Sequence, residues 1–172
     1  MGTISKIVPI FHEKGQFMQY TVEVSRLSKN FYQKYPKTQY PEILEKESRA
    51  YACLLIEFRE YFICIPYRTN VLHANAYHFK TSKRSLSHKS GLDYSKIAII
   101  NNKDYIENQP VTIDKDEYNE TMINIDKIVT GAILYVESYI DHINKTKILH
   151  QREFTRKYGF STLRYFHDIL GL

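Results

Sequence analysis

The sequence predicts one α+β domain, and three observations lead there. The first two-thirds carries short runs of β-forming residues, whereas the part from Asp114 onward repeats apolar residues at helical spacing. No internal repeat, low-complexity tract or Pro/Gly linker separates the two parts. At 172 residues and 43% hydrophobic content, one core over residues 1–172 can bury about two-thirds of the unfolded chain's surface.

The elements follow in order. Residues 17–25 alternate β-formers with polar groups and predict a first strand. Ser25 or Ser28 then caps a helix over residues 27–35, stopped by Pro36, whose ring blocks continuation. Residues 50–58 and 61–66 are apolar on both faces and are separated only by Arg59-Glu60, which predicts a central hairpin. Folded there, the hairpin sets Leu55 opposite Cys64 and Cys53 diagonally across on the same face. Two apolar faces need cover from helices or from the sheet's own curvature, so a small, strongly curved sheet or partial barrel is expected. Further strands are predicted over 77–81 and 96–101, with an edge segment around 104–107. Apolar residues from Tyr118 through Ile125, Val129, Ala132 and Val136 to Ile143 recur every three or four positions, predicting one long helix over 115–144 with Asp114 as N-cap. Two shorter helices follow, the first ended by Gly159 at positive φ and the second, over 162–170, capped by Ser161.

A net charge of +5 and a pI near 9.0 favour a polyanionic partner, because each cation placed on a phosphate releases condensed counterions. Nucleic acid comes first and a membrane surface second. No stretch approaches the roughly 18 apolar residues of a spanning helix, and residues 1–10 lack the pattern of a secretory signal, so a cytoplasmic location is expected. Cys53 and Cys64 are too few for a disulfide framework or a four-cysteine zinc site, and are expected as reduced core thiols. Fifteen Tyr and nine Phe can fill a core; Tyr also suits stacking on bases.

The basic charge is concentrated in residues 67–96. That segment holds six of the 24 Lys and Arg, three of the seven His and a single acid, Asp93, while the other 142 residues carry 18 basic and 18 acidic groups. Cations, hydroxyls and aromatics interleave there, as on surfaces that hold phosphates and stack bases, although a solvated basic loop has the same composition. The candidate RNA-binding residues are Tyr67, His78, Lys80, Lys83, Arg84, His88 and Lys89. RNA cleavage without a metal needs a base for the 2′-hydroxyl proton, an acid for the leaving 5′-oxygen and donors for charge on phosphorus. Imidazole titrates nearest neutrality, so His73, His78 and His88 are the acid–base candidates. Metal chemistry is not expected: there is no His-Glu-x-x-His and no clustered Cys, and Asp114-Lys-Asp116-Glu117 lacks the glycine and terminal Glu of a calcium loop.

The order of elements, with Tyr20-Thr-Val, Arg49-Ala-Tyr, an apolar hairpin ending in Ile65-Pro-Tyr-Arg-Thr69, and then His88-Lys-Ser-Gly-Leu-Asp-Tyr-Ser-Lys96, resembles the ToxN/AbiQ family of type III toxins, closest to the CptN branch. The resemblance implies a twisted antiparallel sheet similar to the Kid/MazF toxins and metal-independent endoribonuclease activity without a cofactor. It also implies processing of, and inhibition by, a folded RNA antitoxin held in a closed protein–RNA ring. Carried over by position, it implies catalytic roles for Arg49, before the first hairpin strand, for Arg68, Thr69 and His73 after the second, and for Ser90 and Lys96 in the later Ser-Gly-Leu-Asp pattern. Two other classes compete: a non-catalytic RNA-binding module, and a DNA-binding regulator using Arg152, Arg156, Lys157 and Arg164.

Overall fold

The computed structural model describes residues 20–46 and 51–172; the start of the predicted first strand and Arg49 lie outside the described residues. The described residues form an α+β fold built on an open six-stranded antiparallel sheet. The elements are β1 (Thr21–Arg26), α1 (Lys29–Lys34), β2 (Ala52–Phe58), β3 (Tyr61–Arg68), β4 (Ala76–His78), α2 (Lys83–His88), β5 (Gly91–Asp93), β6 (Ala98–Ile100), α3 (Lys115–Ile123), α4 (Ile125–Ile143), α5 (Gln151–Tyr158) and α6 (His167–Leu170).

β3 is the spine. Its first half pairs with β2 on one side and β6 on the other, and its end, Tyr67 and Arg68, pairs with Leu92 and Gly91 of β5. β4 then pairs with β5 and, among the described residues, forms the outer edge of the sheet. The hairpin has the expected register, Leu55 opposite Cys64. Both thiols are buried and unpaired, and burial pushes Cys53 up to about 12 and Cys64 well above its ordinary value.

Each face of the hairpin is covered. Phe31 of α1 stacks on Phe166 and meets Tyr105 edge-on, closing one side. On the other, Tyr67, on the face of Ile63 and Ile65, reaches Thr121 of α3 with its hydroxyl at 3.2 Å. α4 buries Ile125, Ile128, Val129, Ala132, Ile133 and Val136 along one stripe, each large aliphatic contributing about 1.5–3 kcal/mol relative to exposure.

Four expectations need correction. The single helix over 115–144 is two, broken at Asn124, whose side-chain amide donates to the Glu120 carbonyl at 2.9 Å and whose backbone leaves the helical region at φ −106°, ψ 20°. Gly159 ends α5 at φ −55°, not at positive φ; a Cβ there would lie 2.5 Å from the Thr155 carbonyl oxygen, so close approach is what requires glycine. Residues 104–107 form a 3-10 turn and a single bridge, Leu27 to Ile106, and not an edge strand. The helix over 162–170 is a 3-10 turn capped by Ser161, followed by α6. Among the described residues, no helix is long and apolar enough to cross a membrane.

Candidate active site

The basic segment is folded, not a loop. It runs from the end of β3 through β4, α2 and β5, and two of these, α2 and β5, have no counterpart in the sequence-based expectation. Asn70 turns the chain at φ 58°, and the amides of Asn70 and Val71 donate to the carbonyls of His88 and Lys89 at 2.6 and 3.1 Å, tying the start of the segment to its end. Gly91 lets β4 close onto β5: a Cβ there would lie 2.4 Å from the Tyr77 carbonyl oxygen.

At the end of β5 stands Asp93, completely buried. A buried carboxylate is costly unless cations and donors surround it. One oxygen of Asp93 pairs with Arg68 Nη1, from the paired end of β3. The other, Oδ1, accepts from the Ser95 amide at 2.9 Å and the Ser95 hydroxyl at 2.6 Å, and faces His73 Nε2 at 3.3 Å. Ser95 Oγ lies 3.4 Å from the same ring nitrogen. Asp93 Oδ1 has no hydrogen to give and Ser95 has donated its own to that oxygen, so in the neutral ring this contact fits Nε2 as the donor and leaves Nδ1 as an acceptor. No protein partner meets Nδ1 among the described residues, and the His73 side chain is 40% exposed. His78, on β4, donates from Nε2 to the His73 carbonyl at 2.9 Å and steadies that loop. Thr69 follows Arg68, half-buried, its hydroxyl without a partner among the described residues. Imidazole and guanidinium are thus held by one carboxylate at one end of the sheet, with the Thr69 hydroxyl next to Arg68 in the chain.

Two further acids, from α3, secure the rest of the segment. Glu117, completely buried, accepts from Arg84 Nε at 3.0 Å, from Arg84 Nη2, from Ser82 Oγ at 3.3 Å and from the Ser90 hydroxyl. Glu120 accepts from the amides of Lys80 and Thr81 at 3.0 Å, from the Thr81 hydroxyl at 2.7 Å and from the Tyr77 hydroxyl at 3.3 Å. Burial alone would raise the Glu120 carboxyl, but the Thr81 hydroxyl and the two amides outweigh it and hold the group below its ordinary value. Tyr77 is pushed up to about 12 by desolvation and by the neighbouring Glu120 charge.

Of the expected catalytic residues, Arg68 and His73 come together on Asp93, and Thr69 follows Arg68 in the chain. Ser90 and Lys96 do not join them. Ser90 is completely buried and committed to Glu117, and Lys96 pairs with Glu42 and donates to the Phe160 carbonyl at 2.9 Å. Among the expected RNA-binding residues, Lys80, Lys83, His88 and Lys89 are exposed, as a phosphate-holding face requires. Tyr67 is a correction: it is buried, stacked on Phe79 at 5.9 Å and bonded to Thr121, because its strand phase turns it into the core. Arg84 gives one face of its guanidinium to Glu117. Asp93 and Ser95 carry no expected role, although Asp93 is the sole acid of the segment, which was the signal available for it.

Among the described residues, no group of three or more His, Cys, Asp and Glu has a metal-holding arrangement. Comparison of the chain with protein-family models, with curated proteins and with solved structures finds no match.

Proposed function

We propose that this protein is an endoribonuclease toxin of the ToxN/AbiQ kind, acting without a metal in the cytoplasm and restrained by a small folded RNA with which it assembles in a closed complex. The likeness of its open sheet to the Kid/MazF toxins belongs to the same proposal. The single observation that carries it is the buried Asp93 orienting His73 through Nε2 while holding Arg68, at one end of the segment that supplies the chain's positive excess.

In the proposed reaction the 2′-oxygen of the substrate attacks the adjacent phosphorus while His73 Nδ1 takes its proton. The bond from phosphorus to the 5′-oxygen breaks, and that oxygen takes a proton from solvent. The products are a 2′,3′-cyclic phosphate and a 5′-hydroxyl. The developing imidazolium is stabilised by the Asp93 charge, as a carboxylate stabilises the histidine of a catalytic triad. Arg68 keeps guanidinium hydrogens beyond the one on Asp93, and these, with the Thr69 hydroxyl, are donors for charge on phosphorus.

A non-catalytic RNA-binding module has the same exposed lysines but no use for an imidazole oriented by a buried carboxylate. The test is incubation of the purified protein with mixed RNA in excess EDTA, followed by end analysis. Cyclic phosphate ends support the nuclease. RNA that stays intact while tightly bound leaves only the module.

A further inference from the structure

A concavity lies across β4 from His73. It has a volume of about 460 Å³ and is lined by Tyr77, Lys80, Thr81, Asn119, Ile123 and Lys127, among others, within the range of roughly 300–1,000 Å³ usual for small-molecule sites. Its floor is the Tyr77 ring, with Lys127 Nζ 6.0 Å from the ring centroid. The Tyr77 hydroxyl is fixed on Glu120, so the ring is held rigidly. Ile123 is 82% exposed at the break between α3 and α4, an apolar side chain with no burial of its own.

The polar groups are equally specific. Glu120, the nearest carboxylate, is occupied by two amides and two hydroxyls, which leaves little of it for a ligand. Asn119 is exposed without a side-chain partner among the described residues, and Asn124 gives one amide hydrogen to the Glu120 carbonyl and keeps the other and its own carbonyl oxygen. Lys80 and Lys127 add two cations against the single open carboxylate of Asp116. An aromatic face beside an aliphatic side chain takes a planar base, free amides match base edges, and the two ammonium groups match the flanking phosphates.

We propose that this groove binds one nucleotide of a single-stranded RNA next to the position cut at His73, and that it sets base preference there. The inference rests on the nuclease reading. Its geometry comes from β4: Tyr77 and His78 point to opposite faces of that strand, toward the groove and toward His73 respectively. Because β4 is the sheet's outer edge, a single strand can pass over it and occupy both sites, which a duplex is too stiff to do.

The test uses the full chain and two RNA probes: a fluorescein-labelled 2′-O-methyl oligonucleotide pool of mixed sequence, which has no attacking hydroxyl, and natural mixed RNA for mapping cut sites. Ile123→Glu and Lys127→Glu should each weaken binding of the pool about tenfold, the scale of one base-stacking contact. Asn119→Ala should change the base frequency at one position beside the cut. All three side chains are exposed, so thermal unfolding should match the parent, and Leu134→Glu, exposed on α4, serves as the control. Variants that bind and choose sites like the parent, while the parent cuts, overturn the groove and leave the nuclease standing. Loss of binding in the variants of a parent that binds but never cuts keeps the groove and removes the nuclease. A parent that binds no RNA removes both.

Discussion

Asp93 meets His73 at 3.3 Å through Oδ1 while its second oxygen holds Arg68, so one buried carboxylate fixes the two groups on which the proposed chemistry depends. Asp93→Asn keeps the shape and removes the charge. The imidazolium formed in the reaction then loses its counterion, and single-turnover cleavage should fall at least about 10²-fold, the lower range for one acid–base contribution. Affinity for uncleavable RNA should hardly change, because Asp93 itself is buried away from solvent. Thermal unfolding of the variant separates this from simple loss of the fold. Equal losses of rate and affinity would make Asp93 a structural group only.

Salt dependence should follow the exposed cations. Lys80, Lys83 and Lys89 have no ion-pair partner among the described residues, so each is available to a phosphate. For single strands the logarithm of affinity falls with the logarithm of salt by about 0.7 per phosphate neutralised, and each Lys→Ala change should reduce the slope by about that amount. Arg84→Ala should behave differently. It strips the principal cation from the buried Glu117 and should cost about 1–3 kcal/mol of stability. Titrations at several salt concentrations, beside unfolding curves, distinguish the two classes; a slope untouched by all three lysine changes removes this face as the binding surface.

The separation of these two classes shows what the sequence could and could not reveal. The hairpin register was legible because apolar runs separated by two residues leave one way to fold, and Asp114 was legible as an N-cap because its carboxylate has a nearby amide to accept from, that of Glu117 at 3.0 Å. The basic segment was legible as a concentration of charge. Its internal fold was not: Gly91–Asp93 is three residues long, too short for a periodicity, and α2, capped by Ser82, has no apolar stripe. Partners set far apart in sequence were equally hidden. Ser90 finds Glu117 twenty-seven positions away and Lys96 finds Glu42 fifty-four away, so two residues chosen by family resemblance were drawn into buttresses.

Acid should weaken the fold in part through Glu120. Glu120 is held below its ordinary value of 4.5, and such a carboxylate stabilises the fold at pH above its unfolded value. That stabilisation disappears as pH falls from the unfolded value through the lower folded one. Urea midpoints measured from about pH 6 to about pH 3 should therefore drop more steeply for the parent than for Glu120→Gln, which lacks the titrating group. Parallel curves would show that Glu120 carries no linkage.

Ser90 and Thr69 should show opposite behaviour, although both are hydroxyls in the basic segment. Ser90 donates to the completely buried Glu117, which also draws on Ser82 and Arg84. Removing that hydroxyl leaves part of a buried carboxylate undersatisfied, at about 1–3 kcal/mol. For a chain of this length each kcal/mol lowers Tm by about 2–4 °C. Ser90→Ala should thus melt earlier and, below its transition, cut RNA at the parent rate, since the hydroxyl does not reach His73. Thr69→Ala removes a hydroxyl with no protein partner among the described residues, so stability should stay within about 0.5 kcal/mol while single-turnover cleavage slows. Pairing Ser90→Ala with Glu117→Gln gives a further check: residues sharing one hydrogen bond are non-additive, so the double variant should lose less stability than the two single losses together. If Ser90→Ala slows cleavage at an unchanged melting temperature, its hydroxyl serves the substrate, and the division between a catalytic end at Asp93 and a structural end at Glu117 is wrong.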